Sequence, residues 1–116
     1  MRPVSYGHPP VDGWTEPSSN ERRRLLAGMR TVAMVGVSAN PARPSNFVAT
    51  YLLGTDYDVF FVNPMADEIL GRPCVPTLAD LPVVPDCVDV FRKLDDVPTV
   101  ADEAVAVGAR VLWTQF

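Results

Sequence analysis

The sequence predicts an α/β fold with a mainly parallel sheet, and three observations lead to this prediction. Two largely apolar runs, residues 31–37, broken only by Gly36, and residues 57–62, have the character of strands that are buried on both faces. The segment between them, residues 46–53, has the pattern of a helix. Strand and helix patterns then continue to alternate along the chain. This order is typical of a Rossmann-like three-layer sandwich, with helices on both faces of the sheet.

Size and composition limit the functions that the chain can have. Its 116 residues suffice for one domain with a single core. Its net charge of −4 argues against a nucleic-acid-binding surface, which needs clustered positive charge. No run reaches the roughly 18 apolar residues of a membrane span, and residues 1–20 do not resemble a secretory signal. We therefore expect a cytoplasmic protein that binds neither nucleic acid nor membrane, and the composition indicates no particular oligomeric state.

The residues that usually carry metal or nucleophilic chemistry are few. His8 is the only histidine, which argues against a histidine metal site and against a serine–histidine triad. Cys74 and Cys87 do not have CxxC spacing. We expect both to be reduced thiols, with Cys87 in the core and Cys74 more accessible. The sequence therefore predicts no metal site and no catalytic residues.

Residues 1–17 are rich in proline and glycine and are expected to form an arm without regular structure. Trp14 either packs this arm against the body or forms a contact in an oligomer. The single domain is expected to span residues 18–116. It begins with a helix, because Ser18 and Glu21 have the spacing of a capping box. The apolar face of this helix comprises Leu25, Leu26 and Met29.

A polar, proline-rich loop, residues 38–44, joins the first strand to the next helix. Ser45 is expected to be the N-cap of that helix, and Gly54 is expected to end it. A strand, a tight turn and a helix N-terminus form the arrangement in which α/β proteins bind phosphate, because backbone N–H groups and the helix dipole favour an anion there. Arg43 adds a positive charge to this loop.

The strand, helix and strand patterns of residues 31–62 predict one βαβ unit, and Asn63 and Pro64 mark the end of its second strand. The loops that follow its two parallel strands, residues 38–44 and 63–66, must then face the same side of the sheet.

The next elements are short. Glu68 and Ile69 are expected to form a single helical turn. Residues 73–76 are expected to form an edge strand, because proline cannot donate to a strand ladder. A short helix is expected at residues 77–81, capped by Thr77 and with Asp80 completing a capping box.

Two strands and one helix complete the pattern. Residues 86–91 predict a buried strand that contains Asp89, whose carboxylate must meet a hydrogen-bond donor or water. Val97–Val107 places apolar residues on one helical stripe, and Gly108 ends that helix. Residues 110–116 predict the last strand.

The loop after the first strand departs from the common nucleotide-binding motifs. The dinucleotide fingerprint GxGxxG keeps only its first glycine, Gly36. Asn63 stands where an acidic residue would bind the ribose of NAD, and no G-K-[ST] sequence forms a P-loop. These departures disfavour NAD as the ligand.

An anion site is still predicted at this edge of the sheet. Ser38 and Ser45 offer hydroxyl groups, and Arg43 offers a bidentate phosphate donor. Arg92 follows a neighbouring strand and is expected to reach the same crevice, although an ordinary surface arginine explains its position equally well. Two arginines from separate strand ends indicate a ligand with more than one phosphate.

Four motifs together carry a family resemblance: GxSxNPxRPS from Gly36, VNPxxxEILG from Val62, VDVFR from Val88 and WxQ from Trp113. With these motifs the sequence resembles the small stand-alone CoA-binding domain proteins, which are similar to the CoA-binding N-terminal domain of the succinyl-CoA synthetase α subunit. The resemblance spans about Glu21 to Phe116. Family members continue past WxQ with a helix and a further strand, so we expect that this sequence lacks them.

The resemblance implies coenzyme A, or an acyl-CoA, as the ligand. It implies that the pyrophosphate lies over residues 36–38 and 43–45, that the adenosine lies along residues 63–64 and 91–92, and that Gln115 meets the pantetheine arm. The implied contacts are Gly36, Val37, Ser38, Asn40, Arg43, Pro44, Ser45, Asn63, Pro64, Phe91, Arg92 and Gln115.

Three functions remain open on these grounds. The first is a module that binds CoA or acyl-CoA without chemistry of its own, since no nucleophile–base pair, metal cluster or carboxylate dyad converges on the crevice. The second is an enzyme, or a subunit of one, that acts on CoA thioesters through Cys74 or Cys87. The third is a regulator that senses NAD or another adenine nucleotide.

Overall fold

A seven-stranded sheet organises the part of the chain that the computed structural model describes, residues 2–3 and 28–114. The strands are β1 (Arg2–Pro3), β2 (Thr31–Val35), β3 (Asp58–Val62), β4 (Glu68–Ile69), β5 (Arg72–Val75), β6 (Cys87–Val90) and β7 (Val111–Thr114). Their order in the sheet is β1-β7-β6-β2-β3-β5-β4. The five central strands are parallel, and β1 and β4 pair antiparallel at the two edges.

The helices α1 (Pro44–Leu53) and α2 (Val97–Val107) pack on opposite faces of this sheet. On the α1 face, the core includes Met34, Leu52 and Phe61. On the α2 face, it includes Val88 and Val100. These layers confirm the predicted Rossmann-like α/β class, and within the described residues no helix is long and apolar enough to cross a membrane.

The strand order changes direction at β2, and this change positions the site. β2 pairs with β3, which follows it through α1, and on its other side with β6, which comes later in the chain. The parallel β2–α1–β3 unit confirms the predicted βαβ arrangement. In open α/β sheets, ligands bind in the crevice at the carboxyl ends of the strands where the order reverses. Here this position lies between the carboxyl ends of β2 and β6, and we refer to it as the crevice.

Both of these helices end at the glycines that the sequence predicted, but α1 begins at a different residue from the one expected. Gly54 and Gly108 are the C-caps, and Gly108 has a left-handed φ of +89°. The prediction that Ser45 caps α1 was wrong. Arg43 is the N-cap, because Pro44 has the fixed φ that suits the first helical position and cannot donate a backbone hydrogen bond. Ser45 lies inside the first turn and is buried.

A tight hairpin replaces two predicted elements at one edge of the sheet. Glu68–Ile69 is a strand and not a helical turn, because the turn residues Leu70 and Gly71, with φ values of +53° and +75°, reverse the chain directly into β5. Two consecutive positive φ values are typical of the type I′ hairpin turn. The strand expected at residues 73–76 exists as β5, but β4 covers it, so it is not an edge strand. The predicted capping box of Thr77 and Asp80 is present before a 3₁₀ turn, Leu78–Asp80.

The opposite edge of the sheet is formed by β1. Arg2 and Pro3 pair with Thr114 and Trp113 of β7, so the prediction of an arm without regular structure was wrong for these two residues. Backbone pairing with an edge strand needs no side-chain pattern, and the sequence therefore carried no signal for it. The rest of the arm, the helix expected from Ser18 as far as residue 27, and Gln115 lie outside the described residues.

Asp86, which precedes β6, forms hydrogen bonds to residues at the amino ends of β2 and β7. Its Oδ2 accepts hydrogen bonds from the backbone N–H groups of Arg30 (2.8 Å) and Thr31 (3.1 Å), and its Oδ1 accepts one from Nη2 of Arg110 (2.9 Å). Partial burial opposes ionisation of this carboxyl group, but the hydrogen bonds outweigh it and hold the pKa of Asp86 below its ordinary value. This ionised cluster lies at the end of the sheet opposite the crevice.

Candidate functional site

Three chain segments meet at the carboxyl edge of the sheet, and direct hydrogen bonds join them. The N–H of Gly36, which follows β2, donates to the carbonyl oxygen of Val62 at the end of β3 (3.0 Å). The N–H of Phe91, which follows β6, donates to the carbonyl oxygen of Val35 (2.8 Å). The loops after β2, β3 and β6 therefore begin side by side.

Gly36 is the point of closest approach between two of these loops. Its φ is +89°, which L side chains rarely adopt. A Cβ at this position would lie 2.7 Å from the carbonyl oxygen of Phe91 and 2.8 Å from Cδ of Arg92. The aliphatic part of Arg92 thus lies directly over Gly36. Arg92 and the loop after β2 therefore lie next to each other at this edge of the sheet.

The loop after β2 is held by its own polar side chains. The Ser45 hydroxyl accepts a hydrogen bond from the N–H of Ser38 (2.9 Å), and the Ser38 hydroxyl accepts one from the N–H of Asn40 (3.1 Å). Oδ1 of Asn40 accepts one from the N–H of Ala42 (2.9 Å). Because the N–H groups of Gly36 and Ser38 are already donated within the protein, an anion here must be bound by other groups.

The N-terminus of α1 opens onto the same loop without a side-chain cap. Its N-cap, Arg43, makes no side-chain capping hydrogen bond, and both Arg43 and Pro44 are exposed. The positive end of the helix dipole and a guanidinium group therefore lie together at the surface of the crevice. This is the local chemistry that favours phosphate.

Asn63 links the loop after β3 to the loop after β2. Its Nδ2 donates to the carbonyl oxygen of Val37 (2.9 Å), and its Oδ1 accepts from the N–H of Met65 (2.8 Å). Both ends of the amide are therefore engaged with backbone, and the neighbouring Pro64 is exposed. No carboxylate occupies this position to bind a ribose.

Arg92 carries the second positive charge of the crevice. Phe91 is half-buried and packs against the core on the α1 face. The Arg92 side chain is 37% exposed, and its Nη2 lies 3.5 Å from Oδ2 of Asp96, whose side chain is 44% exposed. An ion pair of this exposure contributes little to folding.

The sequence-predicted site residues divide into two groups in the structure. Gly36, Val37, Ser45 and Asn63 form the scaffold of the three loops. Exposed at the crevice are Asn40, Arg43, Pro44, Pro64 and Arg92, and half-buried there are Ser38 and Phe91. The roles assigned to these residues remain predictions.

The sequence analysis missed Asn46. This residue is 5% exposed, and its Nδ2 donates to the carbonyl oxygen of Ser38 (2.9 Å), so that it fixes the loop to α1. The signal that could have found it is a short polar side chain in the first turn of the helix, placed to reach back to the preceding loop.

The surroundings of both cysteines raise the pKa of the thiol. Burial, with the nearby charges of Asp67 and Glu68, raises the pKa of Cys74 above its ordinary value. Burial also raises the pKa of Cys87 well above its ordinary value, helped by Asp89 and Asp86. Both cysteines are free, and residues 2–3 and 28–114 hold no group of three or more His, Cys, Asp or Glu side chains that could bind a metal ion.

A family model described as the CoA binding domain matches residues 30–116. The chain belongs to this family. The match includes β2 to β7 and all three loops of the crevice, so the predicted resemblance is confirmed and coenzyme A binding is supported as the general function.

The chain is similar to small proteins and to part of a much longer synthetase. The chain is 35% identical over 99 residues to the uncharacterized protein YneT of Bacillus subtilis, covering 85% of this chain and 73% of that one. It is 38% identical to a hypothetical protein from Pyrococcus horikoshii OT3 of known structure, with a TM-score of 0.79, covering 94% of this chain and 75% of that one. It is 31% identical to a dinucleotide-forming acetyl-coenzyme A synthetase 1 of Ca. Korarchaeum cryptofilum, with a TM-score of 0.62, covering 68% of this chain and 18% of that one.

Proposed function

We propose that this CoA-binding domain protein binds coenzyme A, or an acyl-CoA, in the crevice at the carboxyl ends of β2, β3 and β6, and that it binds without catalysing a reaction. The observation that carries the proposal is the close approach of Gly36 to Phe91 and Arg92 at the point where the strand order reverses. This approach brings Arg92, which follows β6, next to the loop that leads into the N-terminus of α1.

The residues present fit the chemical groups of CoA. Arg43 and the uncapped N-terminus of α1 suit the pyrophosphate, with the Ser38 hydroxyl beside them. Arg92 supplies positive charge for a further phosphate, and Phe91 offers an apolar ring near the adenine end. The backbone carbonyl groups of Asn63 and Pro64 offer hydrogen-bond acceptors without a full negative charge, whereas the N–H of Asn63 is donated to Val75.

The experiment that tests this proposal is calorimetric titration of the protein with CoA, dephospho-CoA and NAD in parallel. We expect CoA to bind, dephospho-CoA to bind more weakly, and NAD to give no signal. Binding of NAD alone would favour a nucleotide-sensing regulator. No binding of any of the three would contradict the proposed function.

A pair of arginine variants tests where the phosphates bind. Arg43→Ala should weaken CoA binding by roughly 1–3 kcal/mol, because it removes a charge-assisted hydrogen-bond donor. Arg30→Ala is the matched control, since Arg30 is an exposed arginine that precedes β2 at the opposite end of the sheet. It changes the net charge equally and should leave the affinity unchanged. Equal effects of the two substitutions would contradict the assignment of Arg43.

The catalytic alternative has less support than binding alone. A cysteine that attacks a thioester needs a populated thiolate, whereas the pKa of Cys74 is raised. The NAD-sensing alternative needs a carboxylate acceptor for the ribose hydroxyls, whereas an asparagine, Asn63, stands at that position and already binds backbone through both ends of its amide.

A further inference from the structure

We propose that Asp96 is a positioning residue that competes with the ligand's phosphate for the guanidinium of Arg92 and so lowers the affinity of the crevice. The inference rests on the proposed function, because it assumes that phosphate is bound beside Arg92. Beyond that function, it assigns to a carboxylate of the protein, that of Asp96, the role of weakening phosphate binding.

The geometry around Arg92 supports the proposal. Its Cδ lies over Gly36, at the centre of the candidate site, while its Nη2 lies 3.5 Å from Oδ2 of Asp96. The side chain therefore crosses the crevice, and its tip is directed to a carboxylate. A phosphate that approaches Gly36 must share the guanidinium with Asp96 or draw it away.

The strength of this pair suits a competitor. Both side chains are more than one-third exposed, so water and salt screen the attraction. A phosphate dianion has twice the charge of a carboxylate and can bind the guanidinium in a bidentate manner. The ligand should therefore displace Asp96 from the guanidinium, and the ion pair that is lost reduces the net affinity.

Asp96 can be replaced without loss of the fold. It is the N-cap of α2 but makes no side-chain capping hydrogen bond, and asparagine is itself a favoured N-cap residue. Asp95 is exposed and precedes Asp96 in the 3₁₀ turn Leu94–Asp96, so it provides a control with the same change in net charge.

The test is calorimetric titration with CoA of the unmodified protein and of the Asp96→Asn, Asp95→Asn, Arg92→Ala and Arg92→Ala/Asp96→Asn variants. Asp96→Asn should bind CoA roughly two- to fivefold more tightly, the range expected for release of an exposed ion pair. Asp95→Asn should have a smaller effect. In the Arg92→Ala background, Asp96→Asn should have no effect, because Asp96 acts through Arg92. Equal effects at positions 95 and 96, or an effect that persists without Arg92, would overturn the proposal.

A second readout separates failure of this inference from failure of the proposed function. If the unmodified protein does not bind CoA, the proposed function fails. The side-chain Nε–H resonance of Arg92 is then followed by NMR during titration with inorganic pyrophosphate. Asp96→Asn should shift this resonance at lower pyrophosphate concentration than the unmodified protein requires, and identical titration curves would overturn the role of Asp96.

Discussion

The side-chain amide of Asn63 donates a hydrogen bond to the carbonyl oxygen of Val37 over 2.9 Å. These residues follow β3 and β2, and they are 26 positions apart in the chain. The opposite end of the same amide accepts a hydrogen bond from the N–H of Met65. One side chain therefore fixes two of the three loops of the crevice in relation to each other, and it does so through a donor and an acceptor at once.

Replacement of Asn63 by aspartate should destabilise the protein. The carboxylate keeps the acceptor for the N–H of Met65, but it places a negative oxygen against the carbonyl of Val37. We expect a loss of about 1–3 kcal/mol in the free energy of unfolding, the range for a buried acceptor that loses its donor. Urea unfolding at neutral pH measures this loss.

Asn40→Asp is the matched control for this prediction. Asn40 is exposed, and its Oδ1 also accepts a backbone N–H two residues ahead, that of Ala42. An aspartate keeps this hydrogen bond, so the variant should unfold at nearly the same urea concentration as the unmodified protein. Equal destabilisation by the two substitutions would show that charge, and not the Val37 hydrogen bond, determines the effect.

The regular elements could be predicted because they carry strong local patterns. The α2 helix has the predicted limits, since its apolar stripe is continuous and Gly108 provides the left-handed C-cap. The strands β2 and β3 were recognisable as largely apolar runs with only a polar residue at the start of each strand. Their parallel pairing followed from the helix between them, which is why the sequence also predicted that the two loops share one side.

The sequence predictions were wrong mainly where backbone hydrogen bonds or turn geometry, and not a side-chain pattern, determine a short segment. The strands β1 and β4 have two residues each, too few for any periodic pattern. The hairpin turn between β4 and β5 places Leu70 at a positive φ, which no propensity predicts for leucine. Within the site, Ser45 has a hydroxyl that suits a cap, but the preceding proline moves the helix start and directs this hydroxyl to Ser38.

Gly36→Ala should be the most damaging of three comparable glycine substitutions. Its methyl group would lie 2.7 Å from a backbone carbonyl oxygen, and its φ is positive. Gly71→Ala has the positive φ but open space, and Gly28→Ala has neither problem. We expect Gly36→Ala to lower the free energy of unfolding by roughly 2–4 kcal/mol and Gly71→Ala to lower it by about 1 kcal/mol, as measured by urea unfolding. Gly28→Ala should leave it nearly unchanged. A loss for Gly36→Ala no larger than that for Gly71→Ala would contradict the close contact with Phe91.

Cys74 should react more slowly with iodoacetamide at pH 7 than a free cysteine. Its pKa is raised by burial and by the charges of Asp67 and Glu68, so less thiolate is present. Glu68→Gln should increase the alkylation rate, which mass spectrometry of the Cys74 peptide measures. Asp102→Asn, an exposed change on α2, is the control and should leave the rate unchanged. Alkylation of the unmodified protein faster than free cysteine would instead support chemistry on thioesters.

The stability contributed by Asp86 should disappear in acid. Its pKa in the folded protein is below its ordinary value, so the unfolded chain binds the proton more tightly. The contribution is complete above the unfolded pKa of about 4 and is lost as the pH falls through that value toward the folded pKa. Asp86→Asn should therefore lower the free energy of unfolding by about 1–3 kcal/mol at pH 7. The difference from the unmodified protein should be smaller at pH 3.

Asp56→Asn is the control for this pH dependence, because Asp56 is exposed in the turn before β3. It should leave the urea midpoint nearly unchanged at both pH values. A difference between Asp86→Asn and the unmodified protein that is constant from pH 7 to pH 3 would contradict the role of the ionised carboxylate.

The measurement that tests the central claim most directly is an NMR titration of the isotope-labelled protein with CoA, in which the backbone amide resonances are monitored. The account predicts that the largest shifts occur in residues 36–45, 63–65 and 91–92, the three loops at the carboxyl ends of β2, β3 and β6. The amides of Arg30, Thr31 and Asp86, at the opposite end of the sheet, should change little. Saturable shifts concentrated at that opposite end, or none at any position, would contradict the account.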